Sequence, residues 1–134
     1  MNDQRSELST KNKYWVPKFR YLELKNHCFQ YPDWKRELNS INPLKVKTEI
    51  TRGRNFSNPT EQLAMKRIKL EQKMRMIETT VDLADPFLAK WLLKGVTENY
   101  TYEYLRYKMD MPAGRDMYYD RYRRFFWLLD QRIS

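Results

Sequence analysis

The sequence predicts an all-α fold, one small domain of four to six helices. Three observations predict it. The chain has 134 residues, the size of one domain, and a globule of that length buries roughly two-thirds of its unfolded surface. Twenty aromatic residues (4 Trp, 10 Tyr and 6 Phe) supply core material, while 3 Gly and 6 Pro are too few turn residues for a many-stranded sheet. Two strong helix starts, Asn58-Pro59-Thr60-Glu61 and Asp85-Pro86, stand ahead of apolar periodic segments.

In chain order, residues 1–13 read as a disordered tail and 14–134 as the helical domain. Lys18 to Gln30 carries Phe19, Leu22, Cys28 and Phe29 at loosely helical spacing, and Pro32 opens a short second helix through Trp34 and Leu38. Between 39 and 57 the pattern fails. Asn42-Pro43 signals a turn, Lys45 to Thr51 alternates like a short strand, and Gly53 between Arg52 and Arg54 suggests a basic loop.

A long helix is expected over 58–83. Asn58 can accept from the first free amides, Pro59 has no N–H to leave unpaired, and Glu61 favours the positive end of the helix dipole. Leu63, Leu70 and Ile77, with Met74 and Val81, form a narrow seam that Arg67 interrupts, beside a broad basic face. Such a seam packs within the chain as a helical hairpin, the preferred expectation, or pairs two subunits as a homodimer. Asp85-Pro86 starts a core helix with Phe87, Leu88, Trp91 and Leu92 on one side, which Gly95 is expected to end.

The last segment, 101–133, reads as a helix-turn-helix. Thr101 caps a helix of about nine residues with Tyr102, Leu105 and Met109 on one face; Asp110-Met111-Pro112 interrupts it; a second helix runs from about Ala113 to Arg132. Asp110 stands where the turn needs a left-handed residue, a region Asp tolerates better than most. In the second helix Tyr118, Tyr122, Phe125 and Leu129 form the inward stripe, leaving Arg115, Tyr119 and Arg123 outward. An Arg-rich first half and an apolar second half suit a recognition helix. A plain surface helix with an aromatic stripe packed inward has the same pattern.

Charge points to a partner class. Lys and Arg number 26 against 17 Asp and Glu, a formal net charge of +9, which attracts polyanions and speeds association with them. Lys45, Lys47, Arg52, Arg54, Lys66, Arg67, Lys69, Lys73 and Arg75 face only Glu49, Glu61 and Glu71 between residues 45 and 75, so the excess is largely mid-chain. A solvated helix face plus a loop is the plain alternative. The candidate DNA-binding residues are Arg115, Tyr119, Arg121, Arg123 and Arg124 near bases or backbone, with Lys66, Lys69, Lys73, Arg52 and Arg54 at phosphates. Catalysis has little to work with: His27 is the only histidine, and its neighbour Cys28 projects about 100° away on the same helix. One Cys and one His are also too few for a zinc site, and no phosphate loop or calcium loop occurs. No enzyme activity, metal or cofactor is expected. The lone cysteine suits a reducing cytoplasm, and neither a membrane span nor a signal peptide is expected.

Tyr31-Pro32-Asp33-Trp34, Asn58-Pro59-Thr60-Glu61 and above all Gly114-Arg115-Asp116-Met117-Tyr118-Tyr119-Asp120-Arg121-Tyr122-Arg123-Arg124-Phe125-Phe126 resemble the RinA/ArpU-type phage transcriptional regulators, over roughly residues 13–132. The resemblance implies a temperate-phage or prophage protein that acts in the bacterial host's cytoplasm and activates late or packaging genes. It also implies a sigma-factor-like helix-turn-helix on double-stranded DNA, with host RNA polymerase as a further partner. Two other readings stay open. One is a small-terminase-like packaging protein that oligomerises through the Leu63 to Val81 seam; the other is a regulator that binds a host protein through exposed Tyr and Trp.

Overall fold

Pro17 sets the first boundary. Its extended backbone, φ −55° and ψ 144°, leads into α1 (Lys18–Phe29), and its carbonyl accepts from Tyr21 N–H at 2.8 Å. The computed structural model describes residues 12–41 and 58–133, without the Asn58 side chain. Expectations that fall on residues 1–11 and 42–57, including the basic loop with Arg52 and Arg54, and on the Asn58 cap lie outside the described residues. Those described hold five further helices: α2 (Tyr31–Ser40), α3 (Asn58–Ala84), α4 (Ala89–Glu98), α5 (Tyr102–Lys108) and α6 (Arg115–Arg132). No strand occurs among them, so the all-α expectation holds.

The helices group into two compact units. One combines Met1–Tyr31 with Ile77–Ser134, and the other is Pro32–Met76. In the first, α6 packs against α1 and α4, and α4 packs against α1 and α5. The α1–α6 contact is aromatic: Tyr21 meets Phe126 edge to face at 5.0 Å, and the hydroxyls of Tyr21 and Tyr122 lie 3.1 Å apart. Such pairs add to area burial because the positive ring edge meets a negative face. Arg20, from the same helix, donates to the Asp130 carboxylate at 2.6 Å and to the Ile133 carbonyl, and so occupies the negative end of α6.

Several faces differ from the sequence expectation. The buried face of α1 is Tyr21, Leu24 and Cys28, whereas Phe19 is 78 % exposed and Leu22 is also exposed. Tyrosine outranks phenylalanine here because its ring fills the α1–α6 contact while its hydroxyl has a polar partner. Phe87 is 66 % exposed, because Asp85 Oδ1 accepts from the amides of Phe87 and Leu88. That turn delays the α-helix to Ala89 and leaves Leu88 and Leu92 to the core.

Gly95 does not end α4; it lies inside it, buried, and the helix ends at Asn99 in the left-handed conformation, φ 58°. The reason is close approach. A Cβ at Gly95 would collide with the Tyr118 hydroxyl of α6.

The long helix begins and ends within a residue of expectation. Its seam is buried from Leu70 through Met74, Ile77, Val81 and Ala84, but Leu63 is exposed. Within the second unit, Lys66 pairs with Glu37 of α2 at 3.4 Å, and the Lys73 ammonium lies 5.5 Å from the centre of the Trp34 ring.

Candidate nucleic-acid interface

Thr101 caps α5 as expected: its hydroxyl oxygen accepts from Tyr104 N–H at 3.1 Å, and Tyr102 and Leu105 face inward. The helix is shorter than foreseen and stops at Lys108. Asp110 then takes the left-handed conformation, φ 55°. The segment 109–114 joins α5 to α6 in six residues, longer than the three or four of a standard helix-turn-helix. Met111 and Ala113 are buried, and backbone carbonyls are taken up by side chains. Trp91 Nε1 donates to Met109 at 2.7 Å, Arg106 to Met111 at 3.2 Å, and the Tyr102 hydroxyl to Ala113 at 3.1 Å. A segment tied at three carbonyls presents the start of α6 on a rigid support, which is what a site needs from its scaffold.

Arg115 is the first residue of α6. Its side chain is about half exposed, it pairs with the Glu103 carboxylate of α5, and its guanidinium lies 4.9 Å from the centre of the Tyr102 ring. Gly114, extended and exposed, precedes it with open space where a Cβ would stand, and Asp116 and Met117 are exposed beyond it.

Farther along, the Arg-rich outward face narrows. Tyr119 is half-buried, its ring 5.1 Å from that of Tyr118, and it lines a recess of about 190 Å³ with Asn99, Tyr100, Thr101 and Tyr122. Arg121 donates to Asp85 at 3.0 Å and also pairs with Asp120. Burial works against its charge, but these two carboxylates outweigh it and raise its pKa further. Arg124 donates to the Tyr14 hydroxyl at 3.3 Å. The Nε atoms of Arg123 and Arg124 are buried and have no hydrogen-bond partner among the described residues. The structure thus separates the five candidates of α6. Arg115 stands at the open end of the helix, Arg121 and Arg124 serve tertiary contacts, and Tyr119 and Arg123 are partly covered.

Lys66, Lys69 and Lys73 lie together in the other unit, along one side of α3 at i, i+3 and i+7. They line a groove of about 550 Å³ with Glu37, Met65 and Leu70. Two features were missed in the sequence. Glu103 has no periodic relation to Arg115, twelve residues on, so only the fold reveals their pairing. Met65 falls off the heptad seam, and that departure was the available signal that its side chain is left outside the core.

Among the described residues no group of three or more His, Cys, Asp or Glu could hold a metal ion, and no described helix is long and apolar enough to cross a membrane. Cys28 is a buried free thiol whose pKa is pushed up by desolvation. No family model, no curated protein and no solved structure matches the chain.

Proposed function

We propose that this chain is a sequence-specific double-stranded-DNA-binding regulator of transcription, which presents α5, the Asp110 turn and the start of α6 to DNA. The observation that carries the reading is the arrangement around Arg115. An exposed arginine opens an 18-residue helix whose later half, through Phe125, Phe126 and Leu129, is anchored in the core. A helix so placed can enter a major groove by its N-terminal end, where arginine pairs with the O6 and N7 of guanine. Between Tyr102 and Arg132 seven basic residues (Arg106, Lys108, Arg115, Arg121, Arg123, Arg124, Arg132) face five acidic ones (Glu103, Asp110, Asp116, Asp120, Asp130), a modest excess that suits reading more than bulk attraction. Half-burial of the middle of α6 confines base contact to its first two turns, with Arg115 foremost and Tyr119 at the edge. The resemblance to phage transcriptional regulators supports the further proposal that the protein works in a bacterial host and activates late or packaging genes together with host RNA polymerase.

Selection from random duplex DNA at two salt concentrations tests the reading. The expected result is an enriched motif, with Arg115→Ala relaxing the preference at one position of it. Retention without a motif, or a motif unchanged by Arg115→Ala, would overturn it.

A further inference from the structure

We infer that the lysine-lined groove between α2 and the first half of α3 is a docking surface for an acidic, amphipathic helix of a partner protein. The inference lies in Pro32–Met76 and does not depend on how the other unit meets DNA.

Geometry comes first. Lys66, Lys69 and Lys73 stand on one flank of α3, and the rise from the first to the third is about 10 Å, two helical turns. Leu70 forms the floor and Met65, 53 % exposed, the rim. Lys66 is partly neutralised by Glu37 and Lys73 lies by the Trp34 ring, whereas Lys69 has no ion pair among the described residues. A row of cations over two turns beside an apolar floor fits a helix bearing carboxylates at the same spacing and apolar residues one step around, the helix-in-groove mode of recognition.

Charge decides among occupants. The groove is lined by Lys66, Lys69 and Lys73 against Glu37 and Glu61, and Lys66 already pairs with Glu37; two lysines and one carboxylate remain, so a second copy of this surface would meet more like charge than opposite charge. Duplex DNA meets the lysines well but gains nothing over the exposed Met65 side chain, since its backbone has no apolar face to cover it. It also cannot avoid Glu61 at the groove's end, because it carries a charge at every step. A peptide helix can place a neutral or basic residue there and still cover Met65 with an apolar side chain.

The test uses the full chain and a set of fluorescein-labelled 18-residue peptides. In each, Leu is repeated at i, i+3, i+4 and i+7 with Asp or Glu on the flanks, and each is paired with a scrambled peptide of the same composition; a 20-base-pair duplex is run in parallel. Saturable peptide binding at least tenfold tighter than to the scrambled control is expected. Met65→Ser and Lys69→Ala should each weaken it fivefold or more. Leu83→Ser, exposed on the same helix but ten residues beyond Lys73, should leave it unchanged, and duplex affinity should move less than twofold in Met65→Ser and Leu83→Ser. Equal binding of ordered and scrambled peptides, or no saturable binding by any of the set, would overturn the inference. So would a loss of duplex affinity with a shallower salt dependence in Lys69→Ala, which would assign the row to phosphates. Arg115→Ala, measured on the same duplex, reports separately on the DNA reading.

Discussion

Gly95 of α4 lies directly against the hydroxyl of Tyr118 in α6, so that a single added methyl group would overlap the oxygen, with the ring carbon Cζ next at 3.3 Å. Glycine inside a helix costs about 0.5–1 kcal/mol relative to alanine, and the contact shows what that cost secures: the two helices can approach over the buried Tyr118 ring. Gly95→Ala should therefore destabilise the fold by about 1–3 kcal/mol despite its better helix propensity, the range for overfilling a packed core. Urea unfolding of a double-mutant cycle checks the cause. With Tyr118→Phe the oxygen is gone, and the penalty of Gly95→Ala should shrink well below its value in the parent; an equal penalty in both backgrounds would refute the steric account.

Asp85 joins two jobs. Oδ1 receives the Phe87 and Leu88 amides that start α4, and Oδ2 receives Arg121 of α6. Asp85→Asn keeps an acceptor for the turn and loses the ion pair, for a cost of about 1 kcal/mol at this partly exposed arginine. Asp85→Ala loses both, for about 2 kcal/mol or more. Equal midpoints for the two variants in urea would show that the turn contributes nothing.

How far the fold was legible follows from these contacts. Thr101, Asp110 and Asp85-Pro86 mark their boundaries because capping and left-handed turns are local chemistry, written in one or two residues. The inward stripe of α6, Tyr118, Tyr122, Phe125 and Leu129, was legible for a related reason: period alone defines it. What escaped was decided by distant partners. Gly95 reads as a helix end until Tyr118 is placed against it, and Phe19 reads as core until Tyr21 takes that role through Tyr122 and Phe126. At the candidate site the residue types were readable, but the use of Arg121 for Asp85 and of Arg115 for Glu103 depends on partners 36 and 12 residues away in sequence.

Stability should fall in alkali in two stages. Burial raises the Cys28 thiol pKa. It also raises that of the Tyr31 hydroxyl, with help from the hydrogen bond to Glu78. Both groups stay protonated in the folded chain while the unfolded chain ionises its cysteine near about pH 8.5 and its tyrosine near about pH 10. Above those values the folded state binds more protons than the unfolded one, so unfolding free energy declines as pH rises. The urea midpoint should fall as the pH rises above about 8, and Cys28→Ala should remove the first part of the fall. An unchanged profile in that variant would refute the assignment. The native thiol should also resist a colorimetric disulfide reagent that labels it at once in urea.

Glu103 sets the resting position of Arg115, and its role can be measured apart from its charge. The carboxylate holds the guanidinium over Tyr102, so in the proposed DNA complex a guanine edge or a phosphate must compete with it. Both side chains are about half exposed, and exposed pairs of this kind are weak; Glu103→Gln should therefore tighten duplex binding by no more than about fivefold. Part of any gain would come from removing a negative charge near a polyanion, and that part survives when Arg115 is absent. In the Arg115→Ala background the gain from Glu103→Gln should thus fall to this residual, and the difference between the two gains is the coupling between the residues. Fluorescence anisotropy of the four proteins on one duplex at two salt concentrations gives it. A gain of the same size in both backgrounds would mean that Glu103 acts only through general repulsion and that Arg115 does not exchange it for DNA. A coupling larger for the selected motif than for an unrelated duplex would mean that Glu103 contributes to specificity, because only the correct base edge offers Arg115 a better partner than the one it already has.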